Sequence, residues 1–375
     1  MPSAAATSTP RLPSLDTLRA LAIALVYLYH YPLFADGRLA LGPVAELGWI
    51  GVDLFFVLSG YLIGKQILGP LHTGQPFALG RFYARRALRT WPAFWVVLAA
   101  YFVWPAEMGG RTPPDLWRFL TFTQNLGLQP GTAFSHAWSL CIEEQFYLLL
   151  PLVVLATHRC GWRGAKAWAL GAAFIALGVG ARAWWWPQVG DKPMAYYAAI
   201  YYNTLCRFDE LLAGVAVAGL QISQPAAWAW LMSKRRELTA LAVANSALLA
   251  WALLTHYFVD GPGYGAVMTI WGYTWVAWSF ALWLVLALHP ATALHRWQVP
   301  GATTLAGWAY TLYLVHKAVG HLLAPRLAEQ GLAPWPTFAV VTLASLATAA
   351  ALSALVERPL MRWRDQRFAA HSAAA

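Results

Sequence analysis

Ten stretches of this chain are apolar for about the length of a bilayer-crossing helix, and that repetition excludes most ways a polypeptide can fold. Their limits are roughly 15–35, 47–68, 90–105, 138–157, 167–186, 203–221, 238–256, 265–288, 303–323 and 336–356. A span takes roughly 20 apolar residues, and runs bounded by charge or by Pro and Gly clusters read as helices. The run 90–105 is the shortest, and 117–126 adds an apolar patch of the kind that re-enters a membrane. Composition agrees: 59% of the 375 residues are hydrophobic and 11% charged, against about 25% charged in soluble domains. Disordered, collagenous and disulfide-scaffold classes are excluded, as is a soluble enzyme on one anchor. The fold class expected is all-α, a polytopic membrane helix bundle of about ten transmembrane helices.

A net charge of +10 raises the question of a nucleic-acid partner, and the positions of the charges answer it. With the N-terminus inside, ten helices place seventeen Lys and Arg residues on the cytoplasmic side and five outside. That is the bias of the positive-inside rule, with N- and C-termini both cytoplasmic and no need of nucleic acid. Residues 1–14 contain no apolar leader core and read as a disordered cytoplasmic tail. Residues 15–359 form one transmembrane domain, and 360–375 a basic cytoplasmic tail. Cys141, Cys160 and Cys206 have no paired spacing, so neither a disulfide framework nor a zinc site is expected, and no other cluster has metal-ligand spacing.

Polar residues inside the spans carry the chemistry, because charge there is costly. Arg19 and His30 lie eleven residues apart on the first helix, which puts them on one face and about 16 Å apart along the axis. Asp53 follows Gly51 on the second helix, about 9 Å below the outer boundary, and Glu143 on the fourth falls about 7 Å inside it. Asp209 on the sixth and His316 on the ninth each come out roughly 10 Å deep. Five ionisable groups at one depth imply a polar cavity in the outer third of the bilayer. In it Glu143 or Asp53 would orient the His30 imidazole. Each residue also has a plainer reading: Arg19 as an interface anchor paired with Asp16, His30 as a packing histidine, and Asp53 as counter-charge to a buried arginine. On the cytoplasmic side, a loop containing Arg81, Arg85, Arg86 and Arg89 brings Arg86 and Arg89 to one helical face, a spacing that grips phosphate. Trp138, Trp184, Tyr196, Tyr197, Tyr201 and Tyr202 stand above the expected cavity, as interfacial anchors or as platforms for sugar rings.

At these residues the sequence resembles the acyltransferase-3 family of integral-membrane acyltransferases. The matching pieces are Arg19 with His30; Gly51-Val52-Asp53 leading into Phe55-Phe56-Val57-Leu58-Ser59-Gly60; Arg86 with Arg89; Ser139-Leu140 with Glu143, Phe146 and Tyr147; Tyr310, Tyr313-Leu314 and His316; and Val356-Glu357-Arg358-Pro359. They occur in family order over residues 15–359. The resemblance implies an enzyme of the bacterial inner membrane that moves an acetyl or other short acyl group from cytoplasmic acyl-CoA, acetyl-CoA before others, to a hydroxyl. The acceptor is a saccharide or a lipid-linked glycan, met at the outer side. His30 and Arg19 are implied to be essential, and Arg86, Arg89 and Glu143 to belong to functional motifs; Ser139, Tyr313 and His316 of those motifs, and Asp209 by its depth, are expected at the substrate pocket. His30 is expected to act as base by direct transfer, with an acyl-enzyme on His30 or Ser139 as the variant. A transporter or flippase using the same buried charges, or an inactive scaffold of an envelope-assembly complex, are the rival readings.

Overall fold

The computed structural model describes residues 12–35, 39, 41–259, 263–296 and 299–373. Of the tail expected at residues 1–14, residues 1–11 lie outside the described residues, as does Arg38, and a helix already begins at Pro13. A long helix stands at each of the ten apolar runs: α1 (Pro13–Phe34), α2 (Gly51–His72), α3 (Leu79–Val103), α4 (Trp138–Arg159), α5 (Ala165–Val189), α6 (Asp209–Ser223), α7 (Arg235–Ala252), α8 (Tyr273–Leu288), α9 (Ala302–Glu329) and α10 (Pro334–Leu352). One pair of two-residue strands, Phe258–Val259 and Gly263–Tyr264, forms an antiparallel ribbon between α7 and α8.

Among the described residues seven helical segments qualify as membrane spans by length and apolarity, and an eighth if α6 and the helix Pro225–Ser233, bent by 104° at their junction, count as one. The two helices that fall short are α3 and α9. Arg81, Arg85, Arg86 and Arg89 lie in the first half of α3, and His316, Lys317, His321, Arg326 and Glu329 lie along α9. The basic cluster expected in a loop is thus part of a helix that starts eleven residues before the run at 90. The last run likewise continues, through a π-turn at Ser353–Glu357, into a helix Arg358–Ala373 that takes up most of the basic tail.

Small residues set the closest crossings, as they do where helices pack without a hydrophobic drive between them. A Cβ on Gly60 of α2 would sit 1.9 Å from the Leu211 carbonyl oxygen of α6, and one on Gly214 would sit 1.9 Å from that of Val57. The two backbones therefore touch reciprocally, and α2 with α6 is the most extensive helix pairing in the bundle. Gly48 and Gly51 do the same against Leu25, Tyr29, Ala22 and Val26 of α1. α9 packs against α1 on one side and α10 on the other, so histidines on α1 and α9 can meet.

The candidate acyl-transfer site

The segment between α3 and α4 turns inward instead of capping the bundle. Arg111 and Thr132 bridge its two ends, with Arg111 N–H donating to Gly131 O at 2.8 Å and Ala133 N–H to Arg111 O at 2.9 Å. Phe134 then adopts φ +57°, a left-handed backbone that an aromatic residue takes only when packing imposes it. Its ring stacks on Tyr101 at 4.6 Å and leans on Phe94 at 5.3 Å. The strained turn delivers a short 3-10 helix, Ser135–Ala137, buried at every residue.

This wall, with α1 and α9, encloses a cavity of about 380 Å³ whose lining includes His30, His136, Lys317, His321 and the rings of Tyr29, Trp49, Trp138, Tyr197, Tyr201, Tyr202 and Tyr313. Three imidazoles meet at its edge. His30 Nδ1 lies 2.9 Å from His316 Nε2, and the His136 ring is 6.3 Å from that of His30 and 5.3 Å from that of His316. The proton positions follow from the partners. His316 Nδ1 lies 3.0 Å from Leu312 O and 2.9 Å from Tyr313 O. A carbonyl only accepts, so Nδ1 carries the hydrogen and Nε2 the lone pair. His30 Nδ1 must then donate to His316, which leaves His30 Nε2 as the nitrogen free to take a proton. By the same logic His136 donates from Nε2 to Leu314 O at 3.3 Å. Its buried Nδ1 is an acceptor with no partner among the described residues.

The orienting group is therefore a histidine, and neither Asp53 nor Glu143 holds the imidazole. Asp53 accepts from Arg207 at 3.1 Å, Arg207 also pairs with Glu210, and all three are fully buried. The guanidinium donates to Tyr201 O and lies over the rings of Tyr273 at 4.1 Å and Tyr201 at 4.8 Å. Asp209 is held by Arg182 at 2.8 and 3.0 Å and by Thr274 at 2.7 Å, so it too is turned away from the cavity. Tyr201 belongs to a π-turn, as does Ile270, whose carbonyl takes Arg182 Nε at 2.9 Å. Such turns leave carbonyls unbonded within a helix, and the buried arginines use them.

The expected common depth fails because the helix ends are staggered. Gly48 and Gly51 seat the start of α2 beside Leu25 and Ala22 rather than beside the end of α1, so α1 overhangs. Asp53 is level with about Ala22, roughly 12 Å along α1 from His30. α4 likewise begins among buried residues, so Glu143 lies deeper than a count from the outer surface gives. It accepts from Ser59 at 2.7 Å, six residues and about 9 Å beyond Asp53 on α2.

Glu143 thus belongs with the arginines. Arg86 lies over the Tyr147 ring at 4.3 Å, and its buried Nε has no hydrogen-bond partner. Glu144 accepts from Thr90 at 2.9 Å and Trp91 at 3.1 Å, and Tyr310 donates to Thr90 O at 2.6 Å. Among the described residues neither Arg86 nor Arg89 makes an ion pair, whereas Arg85 pairs with Asp365 at 3.8 Å. Arg19 contacts Asp16 at 3.5 Å, the interface pairing read from spacing. Ser139 bonds Tyr313 Oη at 2.7 Å, and Tyr313 donates to His136 O. Ser139 is buried outside the cavity lining, which suits a brace for the 3-10 wall more than a nucleophile.

Of the aromatic residues expected above the cavity, Trp138, Tyr197, Tyr201 and Tyr202 line it. Tyr196 is buried against Tyr264 and bonded to Tyr273, and Trp184 is exposed. Two cavity histidines escaped sequence reading. His136 precedes the apparent helix start and looks like loop, and His321 lies at the end of a run; Lys317, a charge inside the ninth run, carries no sequence signal of a role.

Comparison with known proteins bears on this arrangement. A family model for an acyltransferase domain matches residues 12–354. The peptidoglycan O-acetyltransferase OatA of Listeria monocytogenes is 27% identical over 341 residues, covering 84% of this chain and 50% of that protein. The O-acetyltransferase OatA of Staphylococcus aureus is 27% identical over 331 residues, 83% of this chain and 51% of its own. The putative peptidoglycan O-acetyltransferase YrhL of Bacillus subtilis is 28% identical over 335 residues, 84% and 49% respectively. The chain therefore spans about half the length of the curated relatives it matches. No solved structure matches it. The match across nearly all the described helices places the chain in the acyltransferase-3 family.

Proposed function

We propose that the chain is an inner-membrane O-acyltransferase that carries an acetyl group from cytoplasmic acetyl-CoA to a hydroxyl of a saccharide, or of a lipid-linked glycan, at the outer face. The observation that carries this reading is the directed pair His30–His316, which leaves one imidazole nitrogen unbonded in an aromatic-lined cavity. The acceptor oxygen attacks the thioester carbonyl carbon while His30 Nε2 takes its proton. The carbon–sulfur bond then breaks, and the departing thiolate receives that proton from the imidazolium, so no charge is left over. His316 Nε2 accepts from Nδ1 throughout and steadies the cation. The aromatic rings suit the apolar faces of a sugar.

The donor's phosphates go to Arg86, Arg89 and Arg19, and Glu143 stands along the path of the thioester arm. Ten helices with both ends cytoplasmic fit the seventeen-to-five division of basic residues and put this end inside. A transporter reading is weaker. The charges it would use as a relay, Asp53, Asp209, Arg182, Arg207 and Glu210, are locked in buried ion pairs.

Removing both donor-side charges in Arg86→Ala/Arg89→Ala is expected to weaken coenzyme A binding. Each charge-assisted hydrogen bond lost is worth about 1.5–3 kcal/mol, and titration calorimetry at low salt would read the change. Unchanged affinity would return the pair to topology markers.

Sidedness gives the decisive test. In proteoliposomes of known orientation, with acetyl-CoA sealed at the Arg86 face and an oligosaccharide at the other, acetyl should appear on the sugar. Transfer only when both substrates share the Arg86 face would overturn the through-membrane route, and no transfer in any arrangement would overturn the enzyme.

A further inference from the structure

Lys317 is a basic side chain of the cavity with no counter-charge among the described residues. It lies on α9 directly after His316, half-buried, and lines the cavity. It makes no hydrogen bond or ion pair among the described residues, whereas the basic groups Arg19, Arg182 and Arg207 of other apolar runs each have a carboxylate partner. Among the described residues the lining contains no Asp or Glu. Asp53 and Glu210, on other helices of the bundle, are already neutralised by Arg207. One turn further along the same face of α9, His321 also lines the cavity. Its ring is pressed on Gly109, where a Cβ would come within 2.3 Å. A cation held away from bulk water with no counter-charge is costly, and such sites persist where a ligand supplies the missing charge.

We propose that Lys317, with His321 beside it, forms an anion subsite, so that the acceptor is an acidic saccharide: one bearing a carboxylate or phosphate near the hydroxyl that becomes acylated. This inference rests on the acyl-transfer reading for calling the ligand an acceptor. The donor is not the source of the anion. Tyr310 marks the donor level on α9 through its bond to Thr90, the residue next to Arg89. Lys317 is seven residues further along, about 10 Å towards His30, while the diphosphate is assigned to Arg86 and Arg89. At the His30 end the donor brings only its uncharged thioester. An anion at Lys317 also fixes which hydroxyl reaches His30 Nε2, because it anchors the sugar at a second point beyond ring stacking. The unpartnered Nδ1 of His136, an acceptor, is suited to a neighbouring hydroxyl of the same sugar.

The test is a binding experiment that needs no turnover. The full chain in lipid nanodiscs, without acetyl-CoA, is titrated with methyl glucoside, methyl glucuronide and glucose 6-phosphate, and affinities are read by saturation-transfer NMR. At least one anionic sugar should bind about 10- to 100-fold more tightly than the neutral one, the range of one charge-assisted contact. Lys317→Met should bring that ratio close to one, and Lys317→Arg should keep it above. Preference for the glucuronide alone identifies a sugar acid, and preference for the phosphate alone identifies a phosphorylated or lipid-phosphate-linked sugar. Equal affinity for all three in the unmodified chain, no binding of any, or a ratio that survives Lys317→Met overturns the proposal. Lys317 has no partner to orphan, and thermal unfolding of each variant checks the fold. A chain that prefers anionic sugars yet transfers no acetyl keeps this inference and loses the previous one.

Discussion

Replacing His30 by alanine is expected to remove acetyl transfer while leaving a folded protein. A positioned base contributes about 10²–10⁴-fold to a rate, so turnover should fall by at least a hundredfold. The fold should survive because His30 is half-buried at the cavity edge and its one polar partner among the described residues is His316. Leaving His316 Nε2 without its donor costs about 1–3 kcal/mol, within the reserve of a stable domain. Radiolabelled acetyl transfer, beside gel filtration and thermal unfolding of the same preparation, separates the two effects. Normal turnover in a folded His30→Ala protein would remove the imidazole from the mechanism.

Arg207→Leu is expected to have the largest effect on folding. The side chain is fully buried between Asp53 and Glu210, on three aromatic rings. Removing it strands two carboxylates in a low-dielectric interior, and breaking a buried ion pair in this way costs about 3–5 kcal/mol. A triad loses more than a pair, so little folded protein should be recovered from membranes. The argument concerns uncompensated charge, not shape, so Arg207→Leu combined with Asp53→Asn and Glu210→Gln should recover part of the loss. Monodisperse yield in mild detergent measures both. An Arg207→Leu protein as stable as the parent would mean the carboxylates find another partner.

What the sequence disclosed and what it hid divide along a physical line. Helices were legible because twenty apolar residues in succession report on one segment and its solvent, and each run indeed holds a helix. The pairing of Arg19 with Asp16, the one-face relation of Arg19 and His30, and a buried arginine opposite Asp53 were legible for the same reason or from charge balance. Relations between helices were not. Depth counted from each helix start treats all the starts as level, but glycine contacts slide α2 inward along α1, and a folded-in loop buries the start of α4. A shift of two turns moved Asp53 and Glu143 away from His30. His136 was invisible because its position depends on a strained turn at Phe134 that no local pattern announces. The choice of His316 as orienting partner depends on α1 and α9 being neighbours, a fact of the tertiary arrangement.

The histidine chain has one further consequence, for energy balance in the living membrane. His30 leans on His316, and His316 leans on two backbone carbonyls, which cannot take a proton and pass it onward. The chain is a blind alley. In the proposed reaction a proton lifted from the sugar has no exit through α9 and returns to the sulfur that leaves. Acyl groups would then cross from one face of the bilayer to the other with no accompanying proton current, driven by the thioester alone and neither drawing on nor discharging the ion gradient that the same membrane maintains.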